Sequence, residues 1–166
     1  MIRSSVFTVL FCLVAAILQS ALIGRISFLK VIPDLALCVL VFSAYVNGTM
    51  TGQVSGFFSG LLIDFISMAP MGLNCLIRTL IGALAGIFKG AFFLDIFFMP
   101  VILCTLATIL KAVLMFILHL IMGSEVPTYS IFNSVLWIEL GFNALCAPPL
   151  FLLLRNFKPI LVGERR

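Results

Sequence analysis

The chain has 166 residues, 63% hydrophobic and 10% charged, with a net charge of +4 and a mean hydropathy of +1.31. A water-soluble fold of this length still exposes about a third of its surface and has no way to hide so much apolar area, so lipid is the solvent. About six membrane spans with short loops use up the length and leave no aqueous domain. The basic residues sit at segment ends, where they read as topology signals, so no nucleic acid is expected as a partner.

The first apolar run extends from about Ser5 to Ile23 and follows Arg3. Secretion signals begin the same way, but no small-x-small cleavage site follows Gln19 and Ser20, so the run is expected to stay as a transmembrane helix. Arg25 and Lys30 then mark a short interfacial loop. Pro33 and Asp34 open the second helix, the proline at its first position and the carboxylate in its first turn, where each suits the free amides. That helix runs to about Asn47 and is short for a full span.

The next two helices carry a pattern of their own. Gly48, Gly52, Gly56, Gly60 and Asp64 recur at every fourth residue, and Arg78, Gly82, Gly86 and Gly90 repeat the spacing. On a helix each series forms one slowly drifting stripe, a smooth groove with a charge at one end. Glycine in a helix costs about 1 kcal/mol against alanine, so such ladders belong where backbones approach closely, as in membrane helix pairs. The two stripes are expected to pack groove to groove, with Asp64 meeting Arg78 near the connecting turn. Two adjacent helices both carry a stripe, which favours packing within one subunit over a dimerisation face. In the turn itself, MAPMGLN, Pro70 and Gly72 act as breakers and Asn74 caps the fourth helix, which reaches about Gly90.

AFFLDIFFM, only weakly amphipathic, is placed in the interface before Pro100 opens a fifth helix that ends near Met122. GSEVPTYS is the following turn. The sixth helix extends from about Ile131 to Arg155 and contains Pro148 and Pro149, which are expected to kink it. With six spans, one side holds Arg3, Lys89, Arg155, Lys158, Arg165 and Arg166, and the other only Arg25 and Lys30. The positive-inside rule then puts both termini in the cytoplasm.

Four ionisable residues lie within apolar runs: Asp64, Arg78, Lys111 and Glu139. Each costs about 2.5 to 3.5 kcal/mol at mid-membrane on insertion scales, so pairing or a wet cavity is the default. Asp64 and Arg78 lie at similar depth, and Lys111 and Glu139 differ by only about 5 Å. One reading is a polar site between helices for a ligand, a proton or a partner helix. The other is two structural pairs that fix helix register, and the matched depths favour it. His119 is read as an interfacial residue. The five cysteines lie far apart without metal-ligand spacing and are read as small core side chains. No nucleophile with a base, phosphate loop or metal motif is present in the pattern, so neither catalysis nor a cofactor is expected.

Three passages together resemble the family of the bacterial rod shape-determining protein MreD. They are PDLALCVLVFSAY at 33–45, GQVSGFFSGLLIDFISMAPMGLNCL at 52–76, and the proline-bearing NALCAPPLFLLLRNFK at 143–158. Within them Pro33, Asp34, Asp64, Gly72 and Asn74 match the family pattern, whereas Arg78, Lys111 and Glu139 do not belong to it. The resemblance implies a non-enzymatic subunit of the cell-wall elongation machinery in the cytoplasmic membrane. Its implied partners are MreC, the MreB filament, and the peptidoglycan polymerase and transpeptidase. It also implies an all-α, six-helix fold similar to the substrate-binding subunits of energy-coupling-factor transporters, as a single polytopic domain over 1–166. A small-molecule (vitamin) binding subunit of such a transporter is the alternative, with Asn74, Glu125, Thr128, Tyr129 and Asn133 as sparse candidate pocket groups. The aspartate and its following turn fit the shape-determining family better. Membrane lipid is a further expected contact for the basic end of the chain.

Overall fold

In the computed structural model, which describes residues 2–23, 33–67, 70–90, 98–123, 126 and 134–157, six helices follow in order. They are α1 (Ile2–Ile23), α2 (Leu35–Asn47), α3 (Thr49–Ile66), α4 (Leu73–Ile87), α5 (Phe98–Met122) and α6 (Ser134–Asn156). Stretches of α1, α5 and α6 are long and apolar enough to cross a membrane, and α2 and α4 are shorter apolar helices. Arg25, Lys30, residues 91–97 of the expected interfacial stretch, Glu125, Thr128, Tyr129, Asn133 and the basic residues Lys158, Arg165 and Arg166 lie outside the described residues.

The shortest helix is the middle of the structure. LALCVLVFSAYVN has almost no polar side, and a helix that is apolar all round is a buried one. The run Ala36–Ala44 is accordingly buried throughout, and α2 touches each of the other five helices. Both its ends are held by charge. Asp34 is the N-cap, its carboxylate accepting from the Leu37 amide at 3.0 Å, and Lys89 Nζ donates to the Asn47 carbonyl at 2.7 Å. Each sign is the one that the helix dipole favours at that end.

Polarity is turned inward elsewhere as well. Ser4, Thr8, Ser43, Ser55, Ser59, Thr108 and Asn143 are buried, while α5 presents Phe98, Ile102, Leu106, Ile109, Val113 and Phe116 outward. This inversion is what lipid requires of a helical protein.

Several helix starts differ from expectation by a turn or less. Pro33 precedes the cap of α2 instead of opening the helix, and Asp34 is the cap itself. Gly72, at φ +94°, caps α4 in the left-handed region where glycine is favoured, and Asn74 is the second residue of the helix. Pro100 lies in the first turn of α5, where no intrahelical partner is lost. Pro148 and Pro149 sit inside α6, which continues past them to Asn156.

Candidate functional site

The α3–α4 contact follows the glycine spacing in a constant antiparallel register. A Cβ at Gly52 would overlap the Gly82 carbonyl, one at Gly56 the Arg78 carbonyl, one at Gly60 the backbone of Cys75, and one at Gly86 the backbone of Thr49. Gly48 ends the seam, its backbone beside Gly86 with that of Thr49, and of the glycines in the two series only Gly90 lies outside it. Gly48 also caps α3 at φ +100° against the Lys89 side chain, and an added Cβ at Gly90, beyond the end of α4, would meet no atom of the described residues.

That register separates Asp64 from Arg78. With Gly56 opposite Arg78 and Gly60 opposite Cys75, Asp64 falls opposite the turn that precedes α4. Its carboxylate accepts from four donors there: the Gly72 amide at 3.1 Å and the Asn74 amide, Asn74 Nδ2 and Cys75 amide at 3.0 Å each. Asp64 therefore caps α4 from a neighbouring helix, and the expected Asp64–Arg78 pair does not form. The physical reason is that α4's free N–H groups offer the carboxylate several donors at close range, while Arg78 has its main chain against α3 and its side chain directed at α2.

Arg78 instead belongs to a charged cluster around Asp34. Arg78 Nη2 is 2.8 Å from Asp34 Oδ1, Lys111 Nζ is 2.9 Å from Asp34 Oδ2, and Lys111 Nζ is also 2.8 Å from Glu139 Oε1. The Asp34 amide donates to Asn143 Oδ1 at 2.8 Å, and Asn143 Nδ2 donates to Thr108 Oγ1 at 2.9 Å. Helices α4, α5 and α6 and the cap of α2 thus meet at two positive and two negative charges. Asp34, Arg78 and Glu139 are 4–5% exposed. Self-neutrality is what makes such a cluster tolerable in lipid, since one uncompensated member would carry the full desolvation penalty.

Depth explains why Asp34 can reach these partners. Lys111 lies 11 residues before the end of α5, about 16 Å of helix, so the start of α2 sits well inside the bundle and not at its rim. A 13-residue helix spans only about 20 Å against a hydrocarbon core of about 30 Å. Depth along the sequence brings Lys111 to Glu139, but Asp34 reads there only as a helix cap, and no pattern marks Asn143 or Thr108. The available signal was the shortness of α2, 13 residues against the roughly 20 of a full span.

The remaining candidates are dispersed. His119 Nδ1 lies 2.8 Å from the carbonyl of the buried Val126. Cys12, Cys38, Cys75 and Cys104 are buried, Cys146 is half-buried, and all are free thiols. Among the described residues no group of His, Cys, Asp and Glu could hold a metal ion. A groove of about 520 Å³ runs between α1 and α3, lined by Val6 and Val9 on one side and Val54, Phe58, Leu61 and Leu62 on the other.

An outward-facing apolar surface, a buried small-residue helix seam and an ion-bonded centre define an integral membrane protein organised by helix packing. The family model for the rod shape-determining protein MreD matches residues 1–157, and the chain belongs to that family. It is thereby a cell-shape protein of the bacterial membrane. No curated protein and no solved structure matches the chain.

Proposed function

We propose that the protein is a non-enzymatic scaffold of the cell-wall elongation complex, holding MreC and, through it, the peptidoglycan polymerase and transpeptidase and the MreB filament. It sits in the cytoplasmic membrane as a single polytopic domain of six spans with both termini in the cytoplasm, in a fold similar to the substrate-binding subunits of energy-coupling-factor transporters. The observation that carries this reading is the family match over nearly the whole chain.

The site geometry supports a holding role over a ligand-binding one. Asp34, Arg78, Lys111 and Glu139 are engaged with one another and are electrically balanced, which leaves no net charge to orient a small molecule. They act as register-fixing residues, and Asp64 with Gly72 and Asn74 fixes the α3–α4 turn. Partner recognition then falls to helix faces, where association depends on close packing of side chains. We assign the α1–α3 groove to the membrane-crossing helix of MreC.

Copurification of the tagged chain from native membranes tests the reading. MreC and the synthases are expected with the wild-type chain, and their recovery should fall several-fold when Val9→Trp and Val54→Trp fill the groove. Recovery of none of them, with a tightly held vitamin in the purified product, would overturn it in favour of the transporter alternative.

A further inference from the structure

The six helices divide into two groups by how they pack. α1 to α4 pack closely among themselves, while α5 and α6 pack more on each other than either does on the rest. The charged cluster straddles the line between the groups, and its members divide evenly across it. Arg78 and Asp34 lie in the first group, 2.8 Å apart, and Lys111 and Glu139 lie in the second, also 2.8 Å apart. Hydrogen bonds from Lys111 Nζ to Asp34 Oδ2 and from the Asp34 amide to Asn143 Oδ1 cross the line here. The Asn143–Thr108 bond stays within the second group.

This division has an energetic consequence. Removing one partner from a buried charge cluster leaves an unpaired charge in a medium that solvates it poorly, at a large penalty. Separating the two groups strands no charge, because Arg78 keeps Asp34 and Lys111 keeps Glu139. The rest of the contact across the line is apolar packing of α2 and α4 on α5 and α6, with Cys38 beside Cys104 and ring pairs Phe42–Phe151 and Phe11–Phe157 at 4.9 and 5.5 Å between centroids, and such contact has little hydrophobic drive in lipid. α3 and α4, whose backbones interlock at Gly52, Gly56, Gly60, Gly82 and Gly86, have no such line of separation. We propose that α5 and α6 swing as one unit away from α1–α4, parting at Asp34 into two electrically neutral halves. The proposal rests on this geometry and is independent of which partner the protein holds.

The native cysteines report on it. Cys38 and Cys104 meet across the line, whereas Cys12, fully buried, points its thiol at the Ala36 carbonyl within the first group. N-ethylmaleimide labelling of the full chain in membranes, read by mass spectrometry, should modify Cys38 and Cys104 faster than Cys12 in the wild type. The double variant Lys111→Met, Glu139→Gln keeps both halves neutral while cutting the Lys111–Asp34 bond, and Asn143→Ala cuts the crossing bond from the Asp34 amide. Each should speed labelling of Cys38 and Cys104 by about tenfold, as expected for one lost hydrogen bond to a charged or buried group, and leave Cys12 at its wild-type rate. Should the double variant fail to fold, Asn143→Ala alone decides. Equal rates at Cys12, Cys38 and Cys104 in the wild type would overturn the proposal, as would no acceleration at Cys38 and Cys104 in Asn143→Ala.

Discussion

Between α3 and α4 the contact is backbone against backbone; between α2 and the α5–α6 pair it is side chain against side chain. The first interface removes side chains so that main-chain atoms touch at Gly52, Gly56, Gly60, Gly82 and Gly86, and it has one geometry. The second brings Asp34, Arg78, Lys111, Glu139 and Asn143 into a mesh of charged and polar bonds, which holds through pairs that exchange or separate. Lipid offers little hydrophobic drive between helices, so tight packing and internal polar bonds are the two means left to hold a bundle. This protein uses each in a different place, the rigid one for a structural pair and the divisible one where helices meet as groups.

The comparison breaks most severely at the glycines. Gly56→Leu sets a branched side chain against the Arg78 carbonyl and is expected to cost more than about 4 kcal/mol, seen as loss of monodisperse protein in detergent. Next comes Asp34→Ala, which leaves Arg78 and Lys111 short of a counter-charge and should cost about 3–5 kcal/mol. The charge-conserving double variant Lys111→Met, Glu139→Gln should lower the detergent melting temperature by clearly less than Asp34→Ala does. Asp64→Ala releases four donors at the start of α4, three of them backbone amides, for about 1–3 kcal/mol, with hydrogen exchange rising first at Leu73 to Cys75. The smallest effect is expected at Gly141, where an added Cβ meets nothing, so Gly141→Ala should stabilise by no more than about 1 kcal/mol.

How far the sequence carried depended on whether a feature was periodic. Glycines four residues apart can only form a stripe on a helix, and two such stripes in succession meet face to face, so the α3–α4 seam was readable before any coordinates. The Lys111–Glu139 contact was readable from depth, because both positions could be counted inward from recognisable turns. Asp34 was read only as a cap, because depth counting assumes that every helix starts at the rim and α2 starts inside. Arg78 was assigned to Asp64 on the strength of a shared stripe. Stripe membership places a backbone opposite its neighbour and says little about where a long side chain ends, and Arg78 reaches past its own stripe to α2. Asn143 carries no sequence signal at all, since a lone amide in an apolar run becomes meaningful only when another helix brings it an unpaired amide.

Asp34, and not Asp64, is the partner that holds Arg78 in the bundle. Paired double-mutant cycles of Arg78→Met with Asp34→Ala and with Asp64→Ala, read as unfolding free energy in detergent, measure this directly. A coupling of about 2 kcal/mol or more for the Asp34 cycle and less than about 0.5 kcal/mol for the Asp64 cycle is the predicted result. The reverse order would contradict it.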